Sequence, residues 1–302
     1  MQIIKYNNLT WVNISFPTEK DIDYLRDNFK FHELVLEELL TPTYHPKVDD
    51  FGSYLYFVIH IPVYIRAERR NVHKEIDIIV AKDMLVTVIY EDFLEPFDSL
   101  FRQCQLEEDS CKKYFGGNIG HLLYYIIDGL MQSLLPQLKH MEQNIIATED
   151  KIFGGEVHEA VEEISIVRRD ILDFRRTIRP QLLVLESLIE KSQTFFGKTL
   201  KPYFIDLVGD YNRIWGLLEN YKDTIDSLHD TNNSLLSYKL NTIMKVLTIF
   251  TVAALPFAII PQILSTPNAP FRNSPFQFWI MFLFIGGACG ILLAYLKKRK
   301  WI

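Results

Sequence analysis

The chain has few of the residue patterns that are typical of catalytic, metal-binding or nucleic-acid-binding domains. Its three cysteines, Cys104, Cys111 and Cys289, lack metal-site spacing, and the first two should stay reduced in a cytosol. Residues 1–245 carry a net charge of −11, against −6 for the whole chain, which argues against a nucleic-acid partner. We find no nucleophile–base set and no catalytic acid pair, so we expect neither an enzyme nor a resident cofactor.

Acidic residues are missing altogether from residues 246–302, which hold two apolar stretches. Residues 246–264 and 276–296 contain no charged side chain, and the second stretch is long enough to cross about 30 Å of hydrocarbon. The first has the same character but contains Pro256 and Pro261, which a membrane helix tolerates when neighbours or water satisfy the freed carbonyls. The sequence therefore predicts a helical hairpin in a lipid membrane.

The basic residues predict how this hairpin is oriented. Lys239, Lys245 and the terminal Lys/Arg cluster flank the same ends of the two spans, and such residues accumulate on the cytoplasmic side. We therefore expect a multi-pass protein of the cell membrane with both termini cytoplasmic. Residues 1–15 are short, alternating and strand-like, so we do not expect them to be a signal peptide.

The residues before the membrane predict a mixed α and β domain followed by long helices. The predicted strands are 2–6, 10–15, 54–65, 75–81 and 84–90, with a tight turn at Lys82-Asp83. The predicted helices are 20–28, 32–40, 119–153 and 157–193, the last two separated by Gly154-Gly155. The predicted divisions are an α+β cytoplasmic domain at 1–118, an antiparallel helix pair at 119–200, a stalk helix at 201–245, a first span at 246–264, an extracytoplasmic loop at 265–275, a second span at 276–296 and a basic cytoplasmic tail at 297–302.

The stalk carries a heptad seam that runs toward the membrane. Its apolar positions, separated by three or four residues apart from a gap at Asn232, are Leu207, Tyr211, Ile214, Leu218, Tyr221, Ile225, Leu228 and Leu235. Because no Pro or Gly pattern ends this helix before the first span, the sequence predicts one continuous helix over residues 202–264, roughly 90 Å long. Such a seam needs partner helices, and two spans alone cannot enclose a pore. A transport function therefore predicts an oligomer.

Several strings resemble those of the CorA family of pentameric divalent-cation channels. Asn241-Thr-Ile-Met244-Lys-Val-Leu247-Thr248 is similar to the family's membrane-entrance segment, and the Lys/Arg-rich end with its Trp is similar to the family's tail. Pro202-Tyr-Phe-Ile-Asp206 resembles the family's Pro-Tyr-Phe-Arg-Asp. The resemblance covers nearly the whole chain. It implies a homopentamer that conducts Mg²⁺ or Co²⁺ passively along an axial pore lined by the first span.

The resemblance also assigns roles to individual residues. Its pore-lining positions correspond to Asn241, Met244, Leu247, Thr251, Leu255 and Ala258. Met244 and Leu247 would form an apolar constriction that closes by dewetting. Asp206 corresponds to a stalk carboxylate that binds regulatory Mg²⁺, with Glu68 as its expected partner acid and Arg66 as a competing cation.

The chain departs from the family at the outer mouth of the pore. The family signature Gly-Met-Asn is absent, and the ungapped alignment places Ser265-Thr266-Pro267 there, followed by Asn268. Residues 265–274 contain Arg272 and no acid, which opposes cation entry. The sequence leaves alternatives open: a conductor of Zn²⁺, a non-selective ion conductor, or a non-conducting membrane receptor or scaffold on the same architecture.

Overall fold

The structure is a computed structural model that describes residues 1–65, 70–90, 94–264 and 275–298. It separates into two compact units, residues 1–229 and 230–302. The first unit contains a six-stranded sheet, eight described α-helices and the beginning of a ninth. The second unit contains the rest of that ninth helix and the helix that follows it.

The sheet is mixed, and its hydrogen-bonded order is β1-β2-β6-β5-β4-β3. The strands are β1 (Gln2–Tyr6), β2 (Leu9–Ser15), β3 (Val48–Asp50), β4 (Tyr54–Ile65), β5 (Arg70–Ala81) and β6 (Met84–Ile89). All neighbours pair antiparallel except β2 and β6, which are parallel. The predicted turn at Lys82-Asp83 is confirmed, since β5 and β6 pair directly across it.

Helices cover the sheet because its strands bury large side chains. On one face α1 (Glu19–Asn28) and α2 (Glu33–Glu38) contribute Ile22, Leu25 and Leu36 to a core shared with Val12 and Tyr56. Elsewhere on β2 the ring of Trp11 packs edge-on against the rings of Phe97 and Phe101 in α3 (Phe97–Leu106), with centroids 5.7 and 4.7 Å apart. Buried aromatic surface of this kind is a main source of stability in such a domain.

A group of titratable side chains is buried within the α1–α2 side of the sheet. The Asp77 carboxylate accepts hydrogen bonds from the hydroxyls of Tyr56 and Tyr90, each at 2.9 Å, and Asp77 has no exposed surface. His60 lies 3.1 Å from Glu75, its partner across the β4–β5 pair. Burial and the neighbouring Glu75 charge raise the pKa of Asp77 well above its usual range. The fold therefore favours the neutral form of the Asp77 side chain over its ionised form.

The residues predicted to form two long helices after the sheet domain form four helices, because each predicted helix is interrupted once. They are α5 (Ile119–Gln132), α6 (Leu135–Gly154), α7 (Glu159–Ile178) and α8 (Gln181–Phe196), preceded by α4 (Glu108–Phe115). The two unexpected breaks fall beside Pro136 and Pro180, whose nitrogens cannot donate to the preceding helical turn. The predicted break at Gly154-Gly155 is confirmed, with Gly155 ending α6 at φ +93°, which suits glycine.

The predicted continuous stalk helix is confirmed. After the 3₁₀ turn Lys198–Leu200, α9 (Lys201–Leu264) continues for 64 residues and runs through Pro256 and Pro261 without a break. Within the first unit its seam is buried at Leu207, Tyr211, Ile214, Leu218, Tyr221, Ile225 and Leu228. The last helix is α10 (Pro275–Lys298).

Candidate functional site

The six residues predicted to line a pore lie on one face of α9. At about 100° per residue, Asn241, Met244, Leu247, Thr251, Leu255 and Ala258 fall within an arc of roughly 120°. All six are exposed in the single chain. The helix therefore presents a stripe that begins with an amide, continues with apolar side chains and includes one hydroxyl.

The apolar part of this stripe is large and uncovered. Met244, Leu247 and Leu255 are 60 %, 56 % and 50 % exposed. Other faces of the same helix are also apolar and exposed, for example at Ile243 and Phe250. Exposed apolar surface on every side of a helix requires lipid, partner chains or both around it.

A hydroxyl within the stripe has its proton engaged. Thr251 Oγ1 donates to the carbonyl of Leu247 at 2.8 Å, and Thr248 Oγ1 donates to the carbonyl of Met244 at 2.7 Å. Both are bonds to the residue four positions earlier, which satisfy a polar side chain inside an apolar helix. The outward-facing oxygens then keep lone pairs as their remaining hydrogen-bonding capacity.

Among the residues that the structure describes, one helix is long and apolar enough to cross a membrane. The helical stretch Lys198–Ile259 contains an 18-residue window with a mean hydropathy of 1.9, and none of that window is buried within the structure. The described side chains of α10 give a shorter apolar stretch, Phe282–Ile291.

The stalk carboxylate Asp206 lies in the first unit, on a surface formed by α9 and α5. Tyr124 in α5 donates its hydroxyl to Asp206 Oδ2 at 3.0 Å. Two turns further along α5, the Gln132 amide lies 3.3 Å from Asp210 Oδ2 and 3.4 Å from Asp128 Oδ1. Polar side chains spaced at multiples of four residues on α5 therefore face polar side chains spaced four residues apart on α9.

The carboxylates on this surface influence one another. Partial burial raises the pKa of Asp128, and the negative charges of Asp210 and Asp206 raise it further. Burial and the hydrogen bond to Asp206 likewise raise the pKa of Tyr124. Among the residues that the structure describes, however, no group of three or more His, Cys, Asp or Glu side chains is arranged to hold a metal ion directly.

Comparison with known families decides what this architecture is. The model of the "CorA-like Mg2+ transporter protein" family matches residues 6–298. The chain belongs to the CorA family. It is 26% identical over 296 residues to the cobalt/magnesium transport protein CorA of Thermotoga maritima, covering 97% of this chain and 83% of that protein.

Solved CorA structures share the fold. The complete structure of the CorA magnesium transporter from Methanocaldococcus jannaschii superimposes with a TM-score of 0.79 at 22% identity, covering 100% of this chain and 95% of that one. The soluble domain of the same CorA, solved separately, gives a TM-score of 0.65 at 21% identity and covers 76% of this chain and 89% of that one. CorA membership makes this chain one of a family of membrane transporters for divalent cations.

Other residues assigned by the CorA resemblance lie outside the described part of the chain. Glu68 and Arg66, expected beside Asp206, fall in the undescribed segment 66–69. The mouth residues Ser265, Thr266, Pro267, Asn268 and Arg272 fall in the segment 265–274. Their roles therefore stay predictions from the sequence.

Sequence reasoning missed the contacts that α5 makes with the stalk. Tyr124, Asp128 and Gln132 follow one another at intervals of four, as do Asp206 and Asp210. This spacing marks a polar stripe on each helix. Nothing in the spacing says that the two stripes meet, because that depends on how α5 packs within the first unit.

Proposed function

We propose that this chain is a passive conductor of divalent cations, Mg²⁺ or Co²⁺, that works as a homopentamer. In this proposal the stripe on α9 from each of five copies lines an axial pore. The observation that carries it is the confinement of Asn241, Met244, Leu247, Thr251, Leu255 and Ala258 to one exposed face of an apolar helix in a CorA-family chain. A single such helix has no means of enclosing a path for an ion, whereas a ring of copies does.

The membrane arrangement follows from charge and apolar length. We propose spans at 246–264 and 276–296 that form a hairpin, an outer loop at 265–275, and a cytoplasmic tail at 297–302. The stalk at 201–245 and the preceding 200 residues, with the soluble domain at 1–118 and the helices at 119–200, would then be cytoplasmic. Lys239 and Lys245 before the first span support this orientation.

The proposed gate consists of five copies each of Met244 and Leu247. These are the first two apolar residues of the stripe after Asn241, and they are one turn apart. A narrow ring of apolar side chains expels water and thereby blocks a hydrated ion. Opening would require the ring to widen or to become wet.

Ion selectivity should differ from that of CorA proteins that carry Gly-Met-Asn. Hydroxyls and one amide replace the signature, and Arg272 adds one positive charge per subunit near the mouth. Mg²⁺ gives up its waters reluctantly, so a site for it normally binds the hydrated ion. We therefore propose weak Mg²⁺ selectivity, with Zn²⁺ and non-selective conduction as the alternatives that flux measurements would distinguish.

The decisive experiment is ion flux into proteoliposomes, compared for Mg²⁺, Co²⁺, Zn²⁺, K⁺ and Cl⁻. Leu247→Asn should wet the gate and raise flux or basal leak. Val246→Asn is the matched control, because Val246 is adjacent, similarly exposed at 62 %, and about 160° from the centre of the stripe. A parent protein that conducts none of these ions, with a Leu247→Asn variant that conducts no more, would favour the receptor or scaffold.

The oligomer is tested separately by measuring the mass of the detergent-solubilised protein. We expect five chains per particle for the parent and for both variants. A monomer or dimer under conditions that preserve flux would refute the axial pore.

A further inference from the structure

A cavity of about 580 Å³ lies in the first unit, and its described lining residues do not include the stalk carboxylates. It is bounded by the ends of β4 and β5, by α6 and by α7, and we call it the α6–α7 cavity. Its lining includes Tyr64, Asn71, Gln137, Met141 and Asp170. This volume is in the range that accommodates a small organic molecule.

Three oxygen atoms at this cavity have no hydrogen-bond donor among the described residues. They are Asn71 Oδ1, Gln137 Oε1 and Asp170 Oδ1, and all three atoms are buried. A buried acceptor left without a donor is unfavourable, and native structures rarely contain several together. Their concentration at one cavity indicates that something with donor groups belongs there.

The two amide groups are oriented by bonds on their nitrogen side. Gln137 Nε2 donates to the carbonyl of Pro62 at 3.2 Å, and Asn71 Nδ2 donates to the carbonyl of Asp170 at 3.4 Å. In each amide the NH2 group therefore donates to a backbone carbonyl, and the oxygen is left to accept from a different partner. The cavity offers acceptors, so a complementary ligand must supply donors.

Charge narrows the class of ligand further. Asp170 is only 6 % exposed, and it is the one carboxylate among the described residues that line the cavity. Burial raises its pKa, while the charges of Arg169 and His140 oppose that shift. A cation bound beside Asp170 would restore the ionised carboxylate, since an opposite charge compensates for lost water.

The walls favour an organic cation over a bare metal ion. Val63, Pro136 and Met141 supply apolar surface, and the Tyr64 ring lies 6.0 Å from the ring of His140. Methylene groups would bury apolar area on such walls, and an ammonium group gains from a nearby aromatic face. The described residues around the cavity provide one carboxylate, whereas a metal site for hard cations normally uses several oxygen ligands at once.

We propose that the α6–α7 cavity binds a small aliphatic amine in its protonated form. One ammonium group would donate to Asp170, Asn71 and Gln137, and the carbon chain would lie against Tyr64 and Met141. The exposed residues Pro136 and His140 mark an open side through which a second ammonium group could reach water. Binding here does not depend on ion conduction, so failure of the flux experiment and failure of this proposal are distinguishable.

The test is calorimetric titration of the full chain in a non-ionic detergent and Mg²⁺-free buffer. The probe is 1,4-diaminobutane, and 1,4-butanediol is the uncharged control of similar size. We expect saturable binding of one diamine per chain, with none of the diol. Asp170→Asn should weaken diamine binding by about tenfold or more, as expected for loss of a charged hydrogen-bond partner.

Two further variants keep the test independent of folding defects. Glu162→Gln is the matched control, because Glu162 is an exposed carboxylate two turns before Asp170 on α7 and does not line the α6–α7 cavity; the diamine affinity of this variant should stay within about twofold of the parent. Asn144→Asp adds a carboxylate to the lining of the α6–α7 cavity and should strengthen binding severalfold.

Three results would overturn the proposal. The first is no saturable diamine binding to the parent, or equal binding by the diol. The second is an affinity that neither Asp170→Asn nor Asn144→Asp alters. The third is binding of MgCl2 that requires Asp170 in a protein that ignores the diamine, which would make the ligand a hydrated metal ion.

Discussion

Replacing Asp77 by asparagine tests whether the buried carboxyl group in the sheet domain is neutral. Asparagine has nearly the same shape, and its side-chain oxygen can still accept from the hydroxyls of Tyr56 and Tyr90. Its amide can donate toward Glu75, which lies on the same face of β5 two residues away. The substitution therefore removes the ability to ionise with little change in packing.

The expected effect depends on pH with a definite sign. Because the pKa of Asp77 is raised on folding, the folded protein binds more protons than the unfolded chain between the ordinary aspartate pKa of about 3.9 and the raised pKa of the folded state. The stabilisation by the neutral form is fully present below that pH and is lost as the pH rises through the folded pKa. Wild type should therefore lose up to about 1.4 kcal/mol per pH unit in this window relative to Asp77→Asn.

The assay is urea unfolding of the fragment 1–229, followed by circular dichroism at several pH values between 4 and 8. These residues form a compact unit with its own core, and the soluble domain of the Methanocaldococcus jannaschii CorA has been solved by itself. Asp27→Asn, which removes an exposed carboxylate, is the control for a general loss of negative charge. A difference between wild type and Asp77→Asn that stays constant with pH, or equals that of the control, would show that Asp77 is ionised in the fold.

Three further predictions concern packing, regulation and the mouth. Gly120→Ala would place a Cβ 2.5 Å from Leu200 Cδ1 and should lower the urea-unfolding free energy by about 1–3 kcal/mol, whereas Gly216→Ala meets no atom within 4 Å and should not lower it. Asp206→Ala should reduce the protection by Mg²⁺ against proteolysis only slightly, because the sequence is expected to place the cation Arg66 where a second carboxylate would be useful; a large loss would reveal a strong regulatory site. Arg272→Glu should increase cation flux, most at low ionic strength where screening is weakest, and equal flux at all salt concentrations would count against an electrostatic barrier.

The strands could be predicted where their own composition determines them. β2, β4 and β6 are rich in β-branched and aromatic residues, and their predicted and observed bounds agree within one residue. The first half of β5 was missed, because residues 70–74 are mostly polar and become a strand only through pairing with the end of β4. The three-residue β3 was missed for the same reason, since it exists as an edge pairing of Val48 and its neighbours with β4.

The helix bounds could likewise be predicted only in part from the sequence. Pro136 was visible in the sequence, yet a proline in the first turn of a new helix and one tolerated inside a long helix have the same local pattern. Pro256 is tolerated inside α9, so residue type alone does not separate the two cases. α3 and α4 were missed as well, and their buried residues Phe101 and Phe115 have partners far away along the chain.

In the candidate site, too, features within one segment could be predicted and contacts between distant segments could not. The six residues of the stripe on α9 were assigned by the CorA resemblance, and their spacing places them on one face of a continuous helix. The contact between Tyr124 and Asp206 could not be predicted, since it joins residues 82 positions apart. The cavity beside Asp170 likewise combines residues of two strands and two helices, none of which is unusual in its own segment.

The engaged hydroxyl of Thr251 has a consequence for the sign of the ion. With its only proton held by the Leu247 carbonyl, this oxygen can solvate a cation directly but has nothing to donate to an anion. An anion could use the proton only by breaking that bond, at about 1 kcal/mol for each subunit. Five such oxygens around the proposed pore would distinguish positive from negative ions without any formal charge.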